Sequence, residues 1–244
     1  METGKFITFE GIEGVGKSTN IALFTSILER QGREVLRTRE PGGTPMAERI
    51  RALVAEHGDE AMPDIAELLL VFAARSLHVN NVIQPALAAG TWVVCDRFTD
   101  SSRAYQGGGR GLPQGDIDRL ADWVHGDLWP DLTILLDAPV DVGMERAGRR
   151  SEPDRFEVEQ SEFFTRVRET YLQLAAAEPG RFVVIDATRD LDEVKRDIEA
   201  VAEAVLECSD ARNRRSQLLW NATNCRTTKE RDNRGANQEQ LENM

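Results

Sequence analysis

A lysine and a serine end a glycine-rich octet, Gly11-Ile12-Glu13-Gly14-Val15-Gly16-Lys17-Ser18, which fits the spacing GxxxxGK[ST]. Glycines at these intervals let a backbone wrap around phosphate, with successive N–H groups turned inward as an anion nest. A helix starting at Lys17 adds the positive end of its dipole. Lys17 offers a mobile charge to β- and γ-phosphates, and Ser18 a hydroxyl to Mg²⁺. Thr19 completes the set of residues expected around the nucleotide. A second group of residues carries arginine: Arg39-Glu40-Pro41-Gly42-Gly43-Thr44, Asp96-Arg97-Phe98, and the cluster Arg146, Arg149, Arg150 and Arg155. Guanidinium forks match phosphate oxygens, so arginines gathered at one edge read as a clamp for several phosphates.

Strands alternating with helices are what would gather them. Short apolar, β-rich runs occur at 5–10, 34–39, 91–96, Leu132–Asp137 and Phe182–Asp186, with helical patterns between. Ile21, Phe24, Ile27 and Leu28 share one face of a helix over 17–31 that Gly32 ends. Thr44 caps a second helix with Pro45 at its first position. Residues 63–90 form a long helical stretch whose buried face is expected at Ile65, Leu68, Leu69 and Phe72, with Pro85 kinking or restarting it. The fold class is α/β of the P-loop NTPase type: a mostly parallel five-stranded sheet, helices on both faces, and an arginine-bearing lid. In such sheets ligands bind at the carboxyl ends of the strands, where the loop and the arginine segments fall.

The chain has 244 residues, 41% hydrophobic and 30% charged, enough for one real core at 1–208. Residues 209–244 differ in kind: polar, without apolar periodicity apart from Leu218, Leu219 and Trp220. They read as a disordered tail or a short partner-binding helix. Asn221-Ala222-Thr223 matches a glycosylation acceptor, but no signal peptide is expected at the start of the chain. With 30 basic and 42 acidic residues the net charge is −12, which argues against nucleic acid or an anionic membrane as partner. No apolar run is long enough to span a membrane. Cys95, Cys208 and Cys225 are far apart, and His57, His78 and His125 lack metal-ligand spacing, so a reducing cytoplasm is expected and a structural metal is not.

The octet, Arg39 to Thr44 (REPGGT), Asp96-Arg97-Phe98, and residues 104–111 (AYQGGGRG) stand in the order found in bacterial thymidylate kinases, which the chain resembles over residues 5–207. The resemblance implies transfer of the γ-phosphoryl group of ATP to dTMP, with Mg²⁺, in a cytoplasmic homodimer whose interface could use residues 65–83. It implies that Phe72 stacks on thymine, that Arg75, Ser102 and Gln106 meet the base, and that Tyr105 packs under the sugar. Glu13 would hold the 3′-hydroxyl, Arg39 and Arg97 the acceptor phosphate, and Asp96 with Ser18 the metal. From the residues alone Phe72 reads as core. The family carries its charge-stabilising arginine in the phosphate loop or in the lid. No basic residue occupies Ile12–Val15 here, so Arg150 or Arg149 takes that role beside Lys17 and Arg97. The three glycines at 107–109 read as a hinge, a close approach or a flexible loop. Competing readings are a deoxynucleoside kinase, another nucleoside-monophosphate kinase, or a nucleotide-driven switch.

Overall fold

The computed structural model describes residues 4–56, 60–148, 155 and 159–209. Five strands form one parallel sheet: β1 (Phe6–Glu10), β2 (Val35–Arg39), β3 (Trp92–Asp96), β4 (Leu132–Asp137) and β5 (Phe182–Asp186), in the order β2-β3-β1-β4-β5. The first and last residues of each lie within one of the positions read from the sequence. β1 is buried along its whole length, as its place at the centre of a covered sheet requires. β2, at an edge, is half exposed.

Helices fill the connections: α1 (Lys17–Arg30), α2 (Pro45–Ala55), α3 (Asp64–His78), α4 (Gln84–Ala88), the short α5 (Thr99–Ser102), α6 (Gln114–Val124), α7 (Val140–Ala147), α8 (Ser161–Ala177) and α9 (Leu191–Ser209). Thr44 caps α2 as expected, its hydroxyl accepting from the Ala47 N–H at 3.1 Å. The helix restarts at Pro85, as expected: Pro85 is the second residue of α4. A π-helical turn, Val79–Ile83, joins α3 to α4, and the Gln84 N–H reaches back to the Val79 carbonyl. The wider turn comes just before the residue that has no N–H to give.

α3 departs from the expected apolar face. Leu68 and Phe72 are buried, but Ile65 and Leu69 are 52% and 51% exposed. The buried face is instead Glu67, Leu68, Val71, Phe72, Ala74, Arg75 and His78. Three ionisable side chains, Glu67, Arg75 and His78, lie on the inner face, and a hydrophobic pattern cannot count them. Phe72 packs with Leu68, Ile117 and Ala121, joining α3 to α6. Under the sheet, Phe6, Val79, Ile83, Val93, Cys95 and Phe98 form another cluster, with Phe6 and Phe98 edge-to-face at 4.9 Å.

The glycines at 107–109 make a close approach. They end a π-helical segment, Arg103–Gly109, that lies against α8. A Cβ at Gly108 would sit 2.0 Å from the Thr170 hydroxyl, and one at Gly109 2.4 Å from the Phe163 ring.

Two compact units divide the chain, residues 1–198 and 199–244. The first holds the sheet and the site, and the described part of the second continues α9 to Ser209. Leu218, Leu219, Trp220, Asn221 and Cys225 lie outside the described residues. Among the described residues no helix is long and apolar enough to cross a membrane.

Candidate active site

Register brings the chemistry together. Phe9 and Arg39 both pair with Asp96, so the chain leaves β1, β2 and β3 side by side at their carboxyl ends. β1 runs into the phosphate loop, β2 into Glu40 and Pro41, and β3 into Arg97. The loop is closed on one side by α7: a Cβ at Gly14, where φ is +74°, would lie 1.9 Å from the Gly143 carbonyl oxygen. Only glycine fits both that angle and that gap. Lys17 Nζ donates to the carbonyls of Gly11 at 3.0 Å and Ile12 at 2.9 Å, so the ammonium lies along the loop. Burial, reinforced by the nearby Arg97 charge and opposed by Asp96, Glu13 and Glu10, lowers its pKa to about 8.

Arg97 is the hub. Its φ of +71° makes it the one non-glycine among the described residues in the left-handed region. Its N–H bonds the Phe9 carbonyl at 2.9 Å. Its guanidinium donates to Glu13 (2.9 Å), the Tyr105 hydroxyl (3.1 Å), the Tyr171 hydroxyl (3.2 Å) and Ser101 (3.3 Å), and lies over the Tyr105 ring. Tyr105 also donates to Glu13, at 2.7 Å. Beneath this lies Glu10, fully buried, accepting from the Phe98 N–H (2.8 Å), Ser101 (2.6 Å) and Tyr171 (2.8 Å). Burial and the Asp100 charge raise its pKa to about 7, against the opposing pull of Ser101, Arg97 and Tyr171.

A cleft of about 660 Å³, open mouth included, runs from this hub between α2 and α3. Glu13, Arg97, Tyr105, Arg75, Ser102 and Gln106, all expected site residues, are brought together in its lining. Arg75, 1% exposed, donates from Nε to Glu40 (2.7 Å) and from Nη2 to the Phe98 carbonyl (3.1 Å) and Ser102 (3.0 Å). Its Nη1 is buried and has no protein partner. Gln106 donates to Glu67 (2.8 Å), a fully buried carboxylate that also takes Arg110 and Arg155.

Two expected residues stand elsewhere. Phe72 is not among the cleft-lining residues: its neighbour Val71 faces the cleft, and Phe72 turns into the α3–α6 core. One residue along a helix is a rotation of about 100°, which is enough to exchange a wall for a core. The Phe72 ring does touch the site from behind, 4.5 Å from the Arg75 guanidinium. Arg39 is exposed and paired with Glu48 at 2.8 Å, also outside the cleft lining, whereas Arg51 of α2 lines it.

Of the four arginines after β4, Arg146 donates to the Ala187 carbonyl (2.8 Å), and Arg155 bonds Glu67 and the Val54 carbonyl (2.7 Å). Arg149 and Arg150 lie outside the described residues. Asp96, at the end of β3, has a buried carboxylate oxygen, Oδ1, without a hydrogen-bond partner, and the Ser18 side chain is exposed on the first turn of α1. This pair of oxygen donors beside a phosphate loop suits a hard cation that keeps most of its waters and takes substrate phosphates as further ligands. Among the described residues no cluster of three or more His, Cys, Asp or Glu could hold a metal by itself.

Glu10, Glu40, Arg51, Ser101 and Tyr171 have site positions that the sequence reading did not assign. Glu10 had a signal: an acidic residue closing the apolar run Phe6-Ile7-Thr8-Phe9 just before the loop. Glu40 lay inside a quoted motif without a role. Tyr171 is 161 residues from Glu10, and nothing local marks it.

The sequence model of one family, described as thymidylate kinase, matches residues 9–198. The thymidylate kinase of Methylococcus capsulatus is 57% identical over 206 residues, 84% of this chain and 98% of that protein. Those of Pseudomonas savastanoi and Neisseria meningitidis are 54% and 53% identical, each covering 84% of this chain and 98% of the relative. The crystal structure of thymidylate kinase from Ehrlichia chaffeensis superposes with a TM-score of 0.67 at 33% identity, covering 82% of this chain and 98% of that one. On the matched segment and these identities, the chain belongs to the thymidylate kinase family.

Proposed function

We propose that this site transfers the γ-phosphoryl group of ATP to dTMP, giving dTDP and ADP. The observation that carries this reading is the cleft itself, which joins the Arg97–Glu13–Tyr105 cluster beside the phosphate loop to the buried, unpaired Nη1 of Arg75. An oxygen of the acceptor phosphate attacks the γ-phosphorus, and the bond from that phosphorus to the β-bridging oxygen breaks. The acceptor phosphate is largely ionised at neutral pH, its second pKa being about 6, so no general base is required. What the protein supplies is charge and alignment. Lys17 and the loop N–H groups hold the donor. Arg97 and Arg51 hold the acceptor phosphate, with Arg39 at the rim beside Glu48. Arg150 or Arg149 stabilises charge on the transferring group. Ser18 and Asp96 hold Mg²⁺, which neutralises phosphate charge when bound.

Arg75 Nη1 donates to the base edge, with Ser102 and Gln106 beside it. Glu13 accepts from the sugar 3′-hydroxyl, and Tyr105 packs under the sugar. The base lies against Val71, and Phe72 supports Arg75 from the core side. Two substitutions separate these roles. Phe72→Ala is expected to cost about 3–5 kcal/mol of stability, as for a buried aromatic. Val71→Ala is expected to raise the dTMP KM several-fold, roughly as one or two lost apolar contacts would, while costing less stability. Urea denaturation and steady-state kinetics read the two apart.

The test of the function is ADP release from Mg·ATP with dTMP, dUMP, UMP, CMP, AMP or thymidine as acceptor. Strong stimulation by dTMP, weaker by dUMP and none by the others is the expected outcome. Stimulation by thymidine would make the protein a nucleoside kinase, and indifference to every acceptor would refute the kinase reading.

The same reading makes the enzyme a cytoplasmic homodimer. Met46 and Leu53 on α2 and Ile65 and Leu69 on α3 are each more than half exposed, and a second copy of the chain is the partner that covers them. Leu69→Glu is expected to give a monomer by sedimentation velocity. A dimer of unchanged affinity would place the interface elsewhere.

A further inference from the structure

His78 ends α3, three residues beyond Arg75, and none of the roles above uses it. Its ring is fully buried, and three features of β2 and the loop after it meet it. Nδ1 lies 3.0 Å from Glu40 Oε1, and Nε2 lies 2.7 Å from the Thr38 hydroxyl. The ring edge fills the space beside Gly43, where a Cβ would come within 2.3 Å of Cδ2 at a φ of +82°. A side chain at Gly43 would push the imidazole out.

The hydrogen bonds have a direction. Ionised Glu40 can only accept, so the imidazole donates through Nδ1–H. In the neutral ring Nε2 then accepts from the Thr38 hydroxyl. Glu40, 3% exposed, is held below the ordinary carboxylate pKa: burial alone would raise it, and Arg75 and His78 together outweigh that. Its second oxygen, Oε2, takes the Arg75 Nε–H. The result is a buried chain, Thr38–His78–Glu40–Arg75, that ends at a guanidinium in the wall of the cleft. Because the guanidinium is planar, fixing Nε on Glu40 and Nη2 on Phe98 and Ser102 fixes where Nη1 points.

We propose that His78 is a positioning residue for the acceptor: by pinning Glu40 and the loop that carries it, it sets the direction in which Arg75 presents Nη1 to the base. Without it Glu40 Oε1 is left without this partner in a buried site, which is costly. The carboxylate turns toward other donors, and Arg75 moves with it. The inference rests on the reading of Arg75 as the base-contacting residue.

The test is steady-state kinetics on wild type, His78→Ala, His78→Gln, Arg75→Ala and the double variant His78→Ala/Arg75→Ala. For His78→Ala the dTMP KM is expected to rise about tenfold or more, and the preference for dTMP over dCMP to narrow by a similar factor. The ATP KM is expected to stay within about twofold, since no bond of the chain touches the phosphate loop. His78→Gln can donate to Glu40 and accept from Thr38, so it recovers part of the loss. In the Arg75→Ala background, His78→Ala adds less than about twofold, because the residue it acts through is gone. Losses that multiply in the double variant, or KM values for dTMP and ATP that rise together, would overturn the proposal. His78→Leu keeps the space filled and serves as the same measurement if the alanine variant is insoluble. Wild-type protein without dTMP-dependent ADP release would refute the kinase reading itself, before any variant is compared.

Discussion

Arg97→Ala is expected to lower kcat/KM for dTMP by about three orders of magnitude or more, with ATP affinity changed far less. The size follows from what one side chain holds. Its guanidinium joins Glu13 of the phosphate loop, Tyr105 of the π-helical segment, and Tyr171 of α8, three elements with no contact in sequence. The backbone has been committed to it: a left-handed φ at a bulky residue costs of order 1–3 kcal/mol and persists only when the surroundings enforce it. Arg97→Lys is expected to recover little, because an ammonium cannot reproduce a fork that meets four partners in a plane. Coupled-enzyme measurement of ADP release is the assay. If Arg97→Ala retained even a tenth of wild-type turnover, the hub would be structural rather than catalytic. Melting temperature separates the cases, since a purely structural loss would appear there first.

What the sequence could and could not reveal divides along the range of the interactions. The strands, the phosphate loop and the Thr44 cap are local. Their signals are runs, spacings and single capping residues, and the structure reproduces their positions nearly residue for residue. Arg75, Ser102, Tyr105 and Gln106 come from the family resemblance, and they do share one cleft. The misplacements came where identity and facing diverge. Phe72 is the aromatic residue that stacking chemistry asks for, yet its Cβ direction sends it to Ile117 and Ala121, and the plain Val71 takes the wall. Ile65 and Leu69 were assigned inward because they are apolar, while Glu67, Arg75 and His78 took the inner face. Buried polar side chains invert the usual pattern wherever a fold invests in a site, and each has partners far along the chain. Glu10 meets Tyr171, and Glu40 meets His78, at separations that no window of sequence spans.

Lys17 carries the other large effect, and its signature is pH. A pKa lowered to about 8 means that the free enzyme begins to lose the ammonium just above neutrality. The protonated form is the one that attracts phosphate. kcat/KM for ATP is therefore expected to be flat below pH 7.5 and to fall about tenfold per pH unit well above 8. Bound phosphates favour the charged form, so the limb in kcat, which reports the bound enzyme, shifts to higher pH. Lys17→Ala removes the charge altogether and should lower turnover by about 10²–10³-fold at every pH, with no limb near 8. Lys17→Arg keeps a charge that never titrates in this range, so its profile also lacks the limb although its rate stays low. The cause of the shift can be probed as well. After burial, the largest contribution is repulsion from Arg97, so Arg97→Ala should move the limb in Mg·ATP affinity to higher pH even where its turnover is too slow to follow. A limb near 8 that survives in Lys17→Arg would belong to another group and would remove Lys17 from this account of the pH profile.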